Sequence, residues 1–333
     1  MTLSDASHPA AGRPDAGPDR LAHFPVPFFA TVMGLGGLTL ALHAAEAQVG
    51  TGHAASLVAL ALTVAVFATI AALYALKAVR HAPEVAAEWR HPVKLAFFPA
   101  ITISLLLIAT ALRPVAEDLA RVVWLAGAAG QAGLTLAVLS NWIGHRPFQQ
   151  MHLSPAWFIP AVGNVVAPVA GVGLGFPETS WVFFSAGLIF WLVLLVLVMN
   201  RLVFHDPMPG KMLPTLAILI APPAVAFLAW LQLNGGVVDA FARILYGTAL
   251  VFLGLAATQA HRLRALPFAL SWWALSFPVA ALAIATLRFG AGIGSGAHVA
   301  AGYALVALLV AIVAALGART GLAIARGEIC RPE

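Results

Sequence analysis

Charge is scarce in this 333-residue chain: 18 lysines and arginines and 13 aspartates and glutamates make up 9% of it, where a soluble domain carries about 25%. So few hydrated groups cannot cover a globular surface of this size. Cysteine is almost absent. Cys330 stands alone near the C-terminus, so no intrachain disulfide, paired redox thiols or thiolate metal site can form. Carboxylates are missing from the middle of every apolar run, which argues against an intramembrane hydrolase, a proton pump or a redox protein, all of which need ionisable groups or ligands at depth. The 11 histidines lie near run ends or in connections, and none forms an HxxxH or HxxxxH pair. No metal and no cofactor is expected. The isoelectric point near 10.0 comes from basic residues dispersed in ones and twos, not from a patch that would hold nucleic acid.

What the chain has in abundance is apolar length. Hydrophobic residues make up 61%, the mean hydropathy is +0.93, and the bilayer is therefore the main solvent. Residues 1–23 read as a disordered tail rich in Ala, Pro, Gly and Asp, without the apolar core of a signal peptide. Ten membrane-spanning runs follow, at about 24–45, 54–79, 95–112, 115–140, 155–175, 180–203, 214–233, 237–260, 267–288 and 297–325. They form one ten-span membrane domain over 24–325, with a short tail at 326–333. Of the 18 basic residues, only Arg113, Arg121, Arg243 and Arg288 fall on one side. The excess on the other side places both termini in the cytoplasm by the positive-inside rule.

Proline marks alternate runs. Pro25 and Pro27 open the first, Pro99 lies in the third, Pro160 and Pro168 in the fifth, Pro222 and Pro223 in the seventh and Pro278 in the ninth, whereas the even runs have none inside. Proline removes a helical hydrogen bond and kinks the helix. Broken helices are tolerated where they face protein or a water-filled cavity. This pattern predicts an all-α membrane protein of five repeated helical hairpins, with the odd helices inside around an uncharged pathway. The residues leave the ion preference of such a pathway open, since kinks free both N–H groups and carbonyls.

Three further groupings carry expectations. Asp239 and Arg243, four apart near the outer end of the eighth run, are spaced to pair on one helix face, anchoring structure or forming an outer vestibule. Glu117, Asp118 and Arg121 have the same character. Gly127, Gly130 and Gly133 form a small-residue stripe suited to close helix packing.

Three segments resemble the tellurite-resistance and C4-dicarboxylate transporter family, whose plant relatives are the slow-type anion channels of guard cells. They are WRHPVKLAFFPAI from Trp89, SPAWFIPAVGNVVAP from Ser154 and WWALSFPVAALAIATLRF from Trp272. The resemblance implies ten helices around a central pore in each protomer, a homotrimer, and an anion pathway occluded by a phenylalanine on the ninth helix, which Phe277 matches. By analogous position, Phe29, Gly34, Phe98, Phe158, Asn164 and Pro278 are weaker candidates to line the pore. The implied function is a bacterial-type inner-membrane channel or permease, not an enzyme. It would pass small anions (inorganic anions, sulfite, tellurite or dicarboxylates), with membrane lipid and no nucleic acid as its other partner. The alternative is a proton-coupled C4-dicarboxylate transporter, for which His43 or Glu46 would be the titrating group. The tails are short beside the phosphorylated tails of the plant channels, so activation by kinases is not expected.

Overall fold

The computed structural model describes residues 19–144, 148–263 and 266–331. Every element among them is helical. Among the described residues, nine helices are long and apolar enough to cross a membrane: α1 (Val26–Val49), α2 (Ala54–Arg80), α4 (Lys94–Leu112), α5 (Glu117–Ile143), α7 (Pro177–Phe204), α8 (Gly210–Leu233), α9 (Ala240–Leu263), α10 (Leu270–Gly292) and α11 (Gly296–Ala325). Shorter helices lie between them: α3 (Ala82–Arg90), a 3₁₀ turn at Gln150–His152 and the apolar α6 (Pro155–Gly171). Most of the N-terminal tail read from the sequence, residues 1–18, lies outside the described residues, as do 332–333 of the C-terminal one.

Burial alternates along the chain. Between 61% and 78% of the apolar stretch is buried in α1, α4, α8 and α10, against 22–33% in α2, α5, α7, α9 and α11. In α6, all residues from Pro155 to Pro168 are buried. The well-exposed helices turn residues such as Val58, Val122, Val196 and Val251 outward, as hydrocarbon solvent permits. Each buried segment packs against the exposed helix that follows it, and the buried ones also pack on each other: α1 on α4 and α10, α4 on α6, α6 on α8, and α8 on α10. Contacts among the five therefore close on themselves.

The prolines behave differently from simple mid-helix kinks. Each buried segment opens as a 3₁₀-helix and converts to α-helix beside its proline. Pro99 immediately precedes the α-helical part of α4, Pro160 is third in its α-helical stretch, Pro168 and Pro222 are second in theirs, and Pro278 is third. In a first helical turn the missing N–H costs least, because N–H groups there have no helical partner in any case.

Where α6 is broken most, α5 satisfies the freed backbone. Gln131 Nε2 and Thr135 Oγ1 donate to Pro160 O at 3.2 and 2.8 Å, and Trp124 Nε1 donates to Ala167 O at 2.9 Å. The expected glycine stripe serves α5 in part. A Cβ on Gly127 would press on Leu105 and Leu106, and one on Gly130 would stand 2.6 Å from Thr102 Cγ2, but one on Gly133 would meet nothing.

A buried ion pair ties the start of α1 to α2 and α3. Lys77 Nζ lies 3.0 Å from Glu88 Oε2 and donates to Phe24 O at 2.8 Å. Glu88 also accepts from Tyr74 Oη at 2.8 Å and from Val26 N–H at 3.2 Å. Both charges are withdrawn from solvent, so each depends on the other and on these extra hydrogen bonds.

Candidate functional site

Two small cavities lie at the centre of the five buried segments. The larger, of about 50 Å³, is lined by Met33 of α1, Ile103 of α4, Phe158 and Val162 of α6, Ala221 of α8 and Phe277 of α10, among others. The smaller, of about 30 Å³, is lined by Gly37 and Leu40, Leu107 and Thr110, Val169, Leu228, and Ala281 and Ile284 from the same five segments. In every segment the residues facing the second cavity lie further along the chain than those facing the first. The five segments therefore run in parallel, and the cavities stack along one axis. Val166, Val225 and Phe277 line both cavities, which places these three side chains between them.

The walls are apolar. Thr110 has the only side-chain hydroxyl on them, and it donates to Leu106 O at 2.7 Å within its own helix. No lining residue is ionisable. A cavity needs about 10–15 Å³ to hold one water and polar partners to keep it there, so the larger has room for no more than about five and the smaller about three, and the apolar walls offer them almost no partner. That is too few to hydrate an ion, and the side chains of Val166, Val225 and Phe277 separate the two cavities. Gly37 lets α1 approach α10 beside the Phe277 ring: a Cβ there would clash with Ala280 Cβ at 2.7 Å and touch Phe277 Cδ2 at 3.4 Å.

Of the residues singled out in the sequence, the cavity walls bring together Phe277 and Phe158. The others face elsewhere. Phe29 is buried with its ring edge-on to Phe67 and Tyr74 of α2. Phe98 packs edge-on against Trp89 and Tyr74. Gly34 lets α1 approach α10, where a Cβ would collide with Ser276 Oγ. Asn164 turns toward α5, donating to Thr135 Oγ1 at 3.0 Å and to Ala161 O at 2.6 Å. Pro278 is buried beside Phe277 in the first α-helical turn of α10.

The expected pairing of Asp239 with Arg243 is replaced by other contacts. Asp239 lies just before α9 and accepts from Ala242 N–H at 2.8 Å, from Trp230 Nε1 at 3.0 Å and from Asn234 Nδ2 at 3.0 Å. The carboxylate thus caps the helix. The Ala242 N–H, with the Trp230 indole adding to it, holds the Asp239 carboxyl below the usual carboxylate range. Arg243 instead lies over the Phe289 ring, 5.8 Å from its centre. At the start of α5 the charges do pair, Arg121 with Glu117 at 3.1 Å and with Asp118 at 3.3 Å.

Met33, Ile103, Val166 and Val225 escaped notice in the sequence because an apolar side chain facing a cavity resembles one facing lipid. One signal could have found two of them. Gly37 stands four residues after Met33, and Leu107 four after Ile103, the helical spacing of a single face.

Comparison with known proteins bears on this arrangement. The chain is 31% identical over 231 residues to the S-type anion channel SLAH3 of Arabidopsis thaliana, covering 68% of this chain and 36% of that one. It is 29% identical to the S-type anion channel SLAH2 of the same plant, covering 65% of this chain and 42% of the relative. The matched stretch thus spans well under half of either plant protein. A tellurite resistance protein TehA homolog of Haemophilus influenzae is 29% identical over 276 residues, covering 80% of this chain and 82% of that one. The family model described as a voltage-dependent anion channel, SLAC1, matches residues 23–321, and the chain accordingly belongs to the SLAC1 family.

Proposed function

We propose that this protein is a passive anion channel or permease of the inner membrane, in which α1, α4, α6, α8 and α10 surround the conducting axis and the Phe277 ring stops it. The observation that carries this reading is the pair of apolar cavities in line, with walls from all five buried segments and Phe277, Val166 and Val225 between them. On this reading α6 is the fifth of ten spans, and each buried segment forms a hairpin with the exposed helix after it, within a single domain over 24–325. Three protomers associate, each with its own axis, and both termini lie in the cytoplasm, where the basic residues gather.

An apolar ring across a narrow neutral passage excludes water and raises the cost of moving a charge. Rotation about χ1 would open it. The relatives are named an anion channel and a tellurite resistance protein homolog, and the proposed cargo is accordingly small anions: inorganic anions, sulfite, tellurite or dicarboxylates. Phe158 and the backbone around Pro278 belong to the wall, whereas Phe29, Gly34, Phe98 and Asn164 support it from behind. Asp239 and Arg243 stabilise the outer ends of their helices. Proton-coupled dicarboxylate transport is less favoured, because no residue lining the two central cavities can take up a proton; His43, a titrating candidate, lines a separate cavity of about 240 Å³ together with His53. No catalytic role is assigned.

The test is flux from liposomes reconstituted with the full chain, across chloride, nitrate, sulfite, malate and tellurite, with reversal potentials read under several pH gradients. Anion flux with a potential independent of pH is expected. A reversal potential that tracks pH would point to coupling, and absence of any anion movement from either the wild type or Phe277→Ala would refute conduction.

A further inference from the structure

Arg201, at the end of α7, is 3% exposed and unusual among the buried charges. Its Nη1 donates to the backbone carbonyl of Asp206. Its Nε is buried with no acceptor, and Nη2 makes no hydrogen bond. No carboxylate pairs with it among the described residues, in contrast to Lys77, which has Glu88. A guanidinium this little exposed, with Nε sealed off without an acceptor and Nη2 unbonded within the protein, is a costly arrangement that an anion would relieve.

Beside it opens a pocket of about 400 Å³ between the connection that follows α7 and the one that precedes α6, lined by Arg201, Phe204, His205, Asp206, Gln150 and Met151 among others. Gln150 and His205 add polar groups, the His205 Nε2 lying 3.2 Å from Asn200 Oδ1. The rim is of another kind. Phe204 is 74% exposed and Met151 66%; Phe204 ends the membrane-length α7, where hydrocarbon gives way to headgroups, and Met151 lies in the 3₁₀ turn Gln150–His152 before α6. A buried, unpaired, planar donor fork next to an exposed apolar rim matches a molecule that carries an oxyanion at one end and alkyl chains at the other.

We propose that this pocket binds a phosphate-type oxyanion, presented by the headgroup of a phospholipid on the basic face of the protein, with Arg201 as its anchor and Phe204 and Met151 against the first acyl carbons. The exposed carboxylate of Asp206 opposes the anion and limits its affinity. The site stands apart from the central cavities, with which it shares no residue, and it holds whether or not those cavities conduct.

The test is calorimetric titration of the full chain in maltoside micelles with three probes: short-chain phosphatidylglycerol, a diacylglycerol with the same chains, and inorganic phosphate. Saturable binding of phosphatidylglycerol is expected, about tenfold weaker in Arg201→Gln and about threefold tighter in Asp206→Asn, with the diacylglycerol failing to bind. Inorganic phosphate binding with the same dependence on Arg201, and competing with the lipid, would support the oxyanion site with a free ion as its source. Equal binding of the diacylglycerol, or phosphatidylglycerol affinity unmoved by Arg201→Gln, would overturn the proposal. Should Arg201→Gln fail to fold, Asp206→Asn decides the matter: affinity that does not rise counts against an anion in this pocket.

Discussion

Replacing Phe277 by alanine joins the cavities of about 50 and 30 Å³ into one continuous space. A phenylalanine deleted from a filled core costs about 3–5 kcal/mol. Phe277 is only half-buried and has open space on both sides, so its packing contribution falls at or below the lower end of that range and the variant should fold. The effect on conduction runs the other way. Two apolar cavities this small, which offer water almost no polar partner, cannot hydrate an anion, and on the proposed reading passing the ring costs several kcal/mol in lost hydration. Recovering about 2.7 kcal/mol of that barrier raises flux about 100-fold, and even about 1.4 kcal/mol raises it tenfold. Chloride or nitrate efflux from liposomes at matched protein density is the assay, with the melting midpoint and the gel-filtration profile as checks on folding. Well-folded Phe277→Ala with wild-type flux would refute the reading of the ring as the stop.

Three other outcomes follow from the same geometry. Val225 lies beside Phe277 between the cavities, so adding Val225→Phe to Phe277→Ala should refill the gap and lower efflux at least fivefold from the single variant. Glu88→Gln alone leaves Lys77 buried without its counter-charge and should cost about 3–5 kcal/mol. The double variant Lys77→Met with Glu88→Gln should cost less than its two parts summed, read from thermal melts as a double-mutant cycle. Asp239, with an ordinary value of 3.8 that Ala242 N–H and Trp230 lower in the folded protein, contributes stability that is present above about pH 4 and lost as pH falls through the lowered folded value. Asp239→Asn should therefore lower the melting midpoint at neutral pH and flatten its decline in acid; an unchanged acid profile would show that the cap is not ionised.

Much of the architecture was legible because membrane helices announce themselves by apolar length alone. The read boundaries differ from the observed ones by at most four residues, as at Val49 of α1 and Gly292 of α10. α3 was missed: nine residues carrying Glu84, Glu88 and Arg90 present no apolar run. Proline positions correctly separated buried from exposed segments, yet suggested kinks where the chain changes from 3₁₀ to α. That change alters the turn per residue and scrambles any inference about which side chain points inward. Phe29 and Phe158 each begin an α-helical stretch after a 3₁₀ turn, yet Phe29 meets α2 while Phe158 meets the cavity.

Charges misled for a related reason. Lys77 counted only as a topological marker, and nothing in the linear order placed it on Glu88. At Asp239 the four-residue spacing to Arg243 satisfied a pairing rule, but a carboxylate just before a helix has nearer donors in the backbone N–H groups of the first turn.

The common direction of the five buried segments has an electrical consequence. Each helix carries about half a positive charge at its N-terminus and half a negative one at its C-terminus, and here five such dipoles lie side by side with the same polarity around one axis. An anion arriving from the basic face meets five positive ends, whereas one arriving from the opposite face meets five negative ends. If the axis conducts as proposed, a route whose cavity walls carry no charge is thus still a polarised one, and its current should rectify.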